Sequence, residues 1–102
     1  MLILLLFILN ALQIHAWTLT LYDKPNFGGP AEVFGGSTGT CEDLKRLNRK
    51  VSSFQWSQGK LRCCVTFYAG NSKLGYRCDD SSSRQMISDN EMTRFCVDRC
   101  FF

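Results

Sequence analysis

Bulky and smaller side chains alternate with a period of two from Trp17 to Tyr22. This segment is also rich in aromatic and β-branched residues, so the pattern predicts a strand with one buried face. Prolines and glycines interrupt the chain from Pro25 to Pro30, and Ala31 to Phe34 can then run back as a second strand. We therefore expect the chain to begin with a hairpin that has a folded connection.

A short helical signal follows the polar loop predicted at Gly35 to Gly39. Thr40 with Asp43 three residues later is typical of a helix cap. Apolar residues then follow at spacings of three and four, namely Leu44, Leu47 and Val51. One or two helical turns are predicted there, before a further strand at Ser53 to Trp56.

A similar pattern begins again in the second half of the chain. Arg62 to Tyr68 is a strong strand signal, Gly70 to Gly75 is a break, and Tyr76 to Cys78 is a short return. Asp79 to Arg84 is predicted to be a polar loop, and Arg94 to Val97 the last strand.

Two residues mark an internal repeat. Tyr22 and Gly29 recur as Tyr68 and Gly75 at the same spacing. We expect a repeat of about 40 to 46 residues. Strands and turns with at most a short helical turn predict an all-β fold, a small antiparallel β-sandwich with two similar halves.

The first nine residues are apolar, and no charged residue occurs before Asp23. With small Ala16 ahead of Trp17, residues 1–16 are predicted to be a secretory signal peptide. The run is too short to cross a bilayer, which needs about 20 apolar residues, so we expect no transmembrane segment. The predicted mature chain is residues 17–102, a secreted, extracellular domain.

Six cysteines lie within that mature chain: Cys41, Cys63, Cys64, Cys78, Cys96 and Cys100. An even number in an exported protein favours three disulfides, although the sequence does not choose among the pairings. Neighbours on a strand point to opposite faces, so Cys63 and Cys64 should have different partners. A zinc site is the alternative, but thiols pair with each other in an oxidising compartment, and the one histidine, His15, leaves with the signal peptide.

The formal net charge is +3, which is only mildly basic. Four cations form a basic cluster within six positions: Lys45, Arg46, Arg49 and Lys50. This cluster can attract an anionic membrane or a glycan, and the alternative is a solvated surface turn. No nucleic-acid partner is predicted, and the extracellular target is unknown.

Tyr22 to Gly29 reads aromatic, four residues, aromatic, one residue, glycine, with Phe27 as the second aromatic residue. This segment resembles the signature that opens a Greek-key motif in the βγ-crystallin superfamily, and Ser53 stands where that motif has its structural serine. The resemblance implies that Gly29 and Ser53 build a folded hairpin: the glycine adopts a positive φ or a close approach, and the hydroxyl bonds the backbone.

The second half resembles the same motif less closely. Tyr68 and Gly75 match, but Lys73 stands in place of the second aromatic residue and Arg94 in place of the serine. The resemblance implies two Greek-key motifs, at about residues 18–57 and 61–97, followed by a cysteine-containing tail at 98–102.

Many relatives in that superfamily bind calcium through a pair of six-residue loops, which here are residues 48–53 and 89–94. The resemblance implies that one site is lost, because Arg49 replaces an oxygen ligand. The other could use the Lys50 carbonyl, Ser52 and Asn90, with Asp89 if it turns inward. With so few charged ligands, we expect calcium binding no tighter than roughly 10⁻⁴ M, or none, and no other cofactor. The alternative is that the residues of these two loops only form turns and bind no calcium.

Little in the mature chain predicts catalysis, since it has no histidine and its cysteines are expected to be oxidised. Asp79, Asp80 and Glu91 could form the carboxylate pair of a glycosidase, but flanking serines favour solvated loop acids. We therefore expect a non-enzymatic module. The alternatives are an antimicrobial, killer-toxin-like or effector protein, which the basic cluster favours, and a protease inhibitor, for which Asp79 to Ile87 is the candidate loop.

Overall fold

The alternating segment after Ala16 is the first of eight strands. The computed structural model describes residues 16–37, 39–60, 62–86, 90–98 and 100, and it contains no helix within those ranges. In chain order the strands are β1 (Trp17–Lys24), β2 (Gly28–Gly36), β3 (Thr40–Asp43), β4 (Ser53–Ser57), β5 (Cys64–Ala69), β6 (Ser72–Arg77), β7 (Ser81–Ser83) and β8 (Arg94–Asp98).

The strands form two four-stranded sheets, with the orders β2-β1-β4-β7 and β3-β8-β5-β6. All neighbouring strands are antiparallel. The third strand of each half lies in the sheet of the other half, because β3 pairs with β8 and β7 pairs with β4. The predicted fold class, a small all-β antiparallel sandwich, is confirmed.

The core lies between the sheets and is built from the alternating positions. In the first sheet Leu21 lies opposite Phe54, and in the second Phe67 lies opposite Phe95. All four side chains are buried. The rings of Phe54 and Phe67 lie 4.8 Å apart between centroids, which joins the two sheets. Each such burial stabilises the fold by about 1.5–3 kcal/mol.

The predicted helical turns are wrong. Thr40 is not a helix cap but the first residue of β3, where it lies opposite Val97. Residues 45–50 form turns instead. The apolar residues of the predicted helix are nevertheless buried, with 6%, 1% and 0% exposure for Leu44, Leu47 and Val51. The spacing of these apolar residues therefore reflects their contact with the core. The segment does not form a helix, because so few hydrogen bonds do not offset the cost of helix nucleation.

Three predicted loops contain strand residues. The polar loop Asp79 to Arg84 includes β7, which pairs with β4 although its side chains are all serine. Gly35 and Gly36 belong to β2, and the break at Gly70 to Gly75 contains most of β6, which begins at Ser72. Serine and glycine carry little strand preference, so backbone pairing with a neighbouring strand decides their structure.

All six cysteines form disulfides, in the pairs Cys41–Cys96, Cys63–Cys100 and Cys64–Cys78. Cys63 is fully buried in the core cluster, whereas Cys64 begins β5 and is bonded to the residue after β6. The prediction that these neighbours have different partners is confirmed.

Residues 1–15 of the predicted signal peptide lie outside the described residues, as does Asp89. In the described part of the chain, no helix is long and apolar enough to span a membrane.

Candidate functional site

The connection between β1 and β2 is a folded hairpin held by one serine. Asn26, Phe27 and Gly29 all have left-handed backbones, with φ values of 58°, 60° and 72°. The Ser53 hydroxyl donates to the Lys24 carbonyl at 2.7 Å and accepts the Phe27 N–H at 3.1 Å. Ser53 is fully buried. The roles predicted for Ser53 and Gly29 are therefore confirmed.

Close packing also favours glycine at position 29. A Cβ atom there would lie 2.9 Å from Cγ of Lys24. On the same hairpin the rings of Tyr22 and Phe27 are 5.5 Å apart between centroids. A left-handed non-glycine residue costs about 1–2 kcal/mol, so the hydrogen bonds and ring contact offset local strain.

The hairpin between β5 and β6 is tighter and uses a different hydroxyl. Its turn, at residues 70 and 71, has a left-handed Gly70 with φ of 61°. The Thr93 hydroxyl accepts the Gly70 N–H at 2.8 Å and donates to the Tyr68 carbonyl at 3.4 Å. This role of Thr93 was not predicted, because the serine was expected at the position that Arg94 occupies. The available signal was a hydroxyl one position earlier.

Cations lie on the aromatic rings of this second hairpin. The Arg94 guanidinium lies 4.6 Å from the centroid of Tyr68, its neighbour across the strands. Nζ of Lys73 lies 5.0 Å from the centroid of Tyr76. Arg94 therefore contacts the ring of Tyr68, as Phe27 contacts that of Tyr22 in the first hairpin.

The two calcium-type loops exchange backbone hydrogen bonds in a symmetric manner. The Arg49 N–H donates to the Met92 carbonyl at 2.9 Å, and the Asn90 N–H donates to the Val51 carbonyl at 3.0 Å. Arg49 and Asn90 also share a left-handed φ, at 59° and 61°. Arg49 and Asn90, the second residues of the two six-residue loops, thus occupy equivalent places in the structure.

The same equivalence holds where the loops meet the hairpins. The Ser52 N–H donates to the Tyr22 carbonyl and the Thr93 N–H to the Tyr68 carbonyl, both at 2.8 Å. Ser52 and Thr93 occupy matching positions in the two loops, and these contacts fix the loops against the end of the sandwich.

Two of the predicted calcium ligands are brought together. The Ser52 hydroxyl lies 3.5 Å from Oδ1 of Asn90, and Ser52 is 3% exposed. One Ca²⁺ ion at about 2.4 Å from each oxygen can bridge a separation of this size. Both oxygens are the hard donors that calcium prefers, so this pair fits the ion. The Lys50 N–H donates to the Leu47 carbonyl at 2.9 Å, which fixes the local backbone of the third predicted ligand.

The matching position in the other half does not fit calcium. Arg49 brings a cation where Asn90 brings an oxygen, and the Thr93 hydroxyl already bonds the second hairpin. Among the described residues, no group of three or more His, Cys, Asp or Glu side chains could hold a metal ion. The Ser52 and Asn90 oxygens, which the structure brings together, are both neutral.

The basic cluster lies on the turn segment after β3, and all four of its side chains are exposed. Nη2 of Arg46 donates to the Ala31 carbonyl of β2 at 2.8 Å. Arg49 and Lys50 belong to the calcium-type loop as well, so the cluster adjoins the Ser52–Asn90 pair. Cations at this end oppose Ca²⁺ binding and favour anions.

The acidic and inhibitor candidates lie in a segment that is partly paired. Oδ1 of Asp80 accepts the Gln58 N–H at 2.8 Å, which commits that carboxylate to a structural role. The candidate inhibitor loop contains β7, so residues 81–83 are held against β4, and Ile87 lies outside the described residues.

No family model, no curated protein and no solved structure matches this chain.

Proposed function

We propose that the chain is a secreted, non-enzymatic βγ-crystallin-like binding module that retains one weak calcium site. The exchange of β3 and β7 between the sheets supports a pair of interlocked Greek-key motifs. The folded hairpin with its buried Ser53 supports the same assignment. Export is supported by the predicted signal peptide and by three disulfides, which persist in oxidising compartments.

The observation that carries the calcium proposal is the contact between Ser52 and Asn90 across the two loops, at 3.5 Å. Neither residue is charged, and Arg49 and Lys50 are close in sequence. Affinity rises with the number of charged ligands, so binding no tighter than roughly 10⁻⁴ M is expected. An extracellular medium rich in calcium can fill such a site.

Calorimetric titration of oxidised, metal-stripped protein from Trp17 onward tests this proposal. The unmodified chain should bind one Ca²⁺ weakly, and Asn90→Ala should abolish binding because the amide oxygen is lost. Arg49→Asn should strengthen binding, because it removes a cation and adds a ligand at the matching position. A flat trace at millimolar calcium for the unmodified protein ends the calcium proposal.

The exposed basic cluster favours a second candidate, a defence or effector protein that acts on an anionic surface. Four adjacent cations raise the local concentration of anionic membranes or glycans. Replacing all four with Ala should remove growth inhibition of bacteria or fungi. Replacing Lys60 and Lys73, two exposed lysines outside the cluster, should not. An unmodified protein without inhibitory activity excludes this candidate.

A further inference from the structure

Gly75 occupies a core-facing position where the backbone does not require glycine. It lies opposite buried Phe67 on the neighbouring strand, and residues directly opposite share a face of the sheet. Its φ is not in the left-handed region, and the nearest atom to an added Cβ is Nη1 of Arg77, at 3.9 Å. Unlike Gly29, Gly75 has neither a strained backbone nor a close neighbour. What glycine provides there is empty space.

That space is part of a cavity of about 220 Å³ between the edge strands β6 and β7. Its apolar wall is formed by Phe54, Phe67, Leu74 and Met86. Its polar wall is formed by Arg77, Ser83 and Gln85. The cavity is smaller than the roughly 300–1,000 Å³ of a drug-sized pocket, so only a small molecule fits.

Arg77 supplies the cation at the rim. It lies opposite core residue Val65, so its side chain starts from the inner face of the sheet. The guanidinium lies 5.7 Å from the centroid of Phe54, and Nη1 donates to the Tyr76 carbonyl at 2.8 Å. Its other N–H groups are available within the described residues, and a guanidinium fork matches a carboxylate.

We propose that this cavity binds a small apolar molecule that carries one carboxylate. The apolar wall takes a ring or a short alkyl chain, and Arg77 pairs with the acid, with Ser83 and Gln85 as further hydrogen-bonding groups. Among the described residues that line the cavity none is acidic and one, Arg77, is a cation, so their charge is complementary to an anion. The two sources of such a ligand are aromatic acids and short fatty acids.

Titration of ¹⁵N-labelled, oxidised protein with phenylacetate and with hexanoate tests the proposal. At least one acid should cause saturable amide shifts at Leu74, Gly75 and Arg77, within the range up to about 10 mM expected of so small a ligand. Phenylacetamide and hexanamide are the neutral controls and should bind at least about tenfold more weakly, since they lack the charge that Arg77 recognises. Which acid binds identifies the source.

Two variants separate the cavity from its charge. Gly75→Leu should fill the space and abolish binding while the melting temperature stays unchanged or rises. Arg77→Gln should remove the preference for acid over amide, whereas Arg62→Gln, on an exposed residue after β4, should keep it. The proposal is overturned if neither acid gives saturable shifts, or if acids and amides bind the unmodified protein equally. Unchanged binding in Arg77→Gln overturns it too, even where Gly75→Leu does not fold.

Discussion

Different interactions fix the strands within each of the two sheets. The sheet β2-β1-β4-β7 contains no cysteine, and its hairpin is fixed by Ser53, by the Tyr22–Phe27 contact and by Gly29. In the sheet β3-β8-β5-β6, each pair of neighbouring strands is joined by a disulfide whose cysteines lie within two residues of the paired residues. The disulfides thus occur in the sheet whose hairpin lacks the second aromatic residue and the serine.

The free energies contributed by a hydrogen-bonding hydroxyl and by a disulfide are comparable, which explains how one kind of interaction can replace the other. A buried polar group left without a partner costs about 1–3 kcal/mol. A disulfide contributes about 2–4 kcal/mol, mainly by restricting the unfolded chain. A small domain with a modest core has a thin margin of stability, so either contribution is a large share of it.

The largest expected effect is that of complete reduction, which should unfold the whole domain at room temperature. The Cys41–Cys96 pair, separated by 55 residues, contributes about 4 kcal/mol and Cys64–Cys78, separated by 14, about 3 kcal/mol in the chain-entropy account. These two contributions together, about 7 kcal/mol, already lie within the roughly 5–15 kcal/mol stability of an ordinary domain. Near-ultraviolet circular dichroism with and without reductant measures the loss. Native amide dispersion in the reduced protein would show that the disulfides are dispensable.

The next largest effect is expected at the serine of the first hairpin. Ser53→Ala removes the partner of the Lys24 carbonyl and of the Phe27 N–H at a part-buried site, so the free energy of unfolding should fall by about 1–3 kcal/mol. Thr93→Val, the matched change in the second sheet, should cost less, since disulfides hold that sheet. Urea denaturation of both variants gives the difference, and equal losses contradict the contrast between the sheets.

The two signature glycines should also respond differently. Gly29→Ala should lower the free energy of unfolding by about 1–2 kcal/mol, because a φ of 72° is unfavourable for alanine and its Cβ would lie 2.9 Å from Cγ of Lys24. Gly75→Ala should be neutral or stabilise the fold slightly, since alanine restricts the unfolded chain. Thermal melts of both oxidised variants measure the shifts. A lower melting temperature for Gly75→Ala would contradict the conclusion that a side chain has room at position 75.

The smallest loss of stability is expected at Arg94. Its contact with the Tyr68 ring is partly exposed, so Arg94→Gln should cost about 0.5–1 kcal/mol. Arg62→Gln provides a control on an exposed arginine. A loss as large as that of Ser53→Ala would mean that the second hairpin depends on its side chains as much as the first.

Local pattern predicted the strands whose own side chains form the core. The alternation from Trp17 to Tyr22 identified β1, and Ser53 to Trp56 identified β4. The resemblance of the two six-residue loops also grouped Ser52 of one loop with Asn90 of the other, and their side-chain oxygens lie 3.5 Å apart.

The remaining features depend on partners that are distant in the chain. Strands β3 and β7 are short and polar, and each is a strand only because the other half supplies its neighbour. The cysteine pairing has the same origin, as does the cavity beside Gly75, which arises from its register with Phe67. The role of Thr93 was not predicted because the turn of the second hairpin is one residue shorter than that of the first. The hydroxyl that bonds this turn therefore lies at a different position in its loop.

The Cys41–Cys96 bond has a consequence for proteolysis, because it alone joins the first half of the chain to the second. A single cut in the connection between β4 and β5 would produce two peptides that stay covalently attached. Each peptide would still supply one strand to the other's sheet. Nicked protein should therefore migrate as one species on a non-reducing gel and separate only when reductant is added, so that one cleavage by an extracellular protease would not release either half.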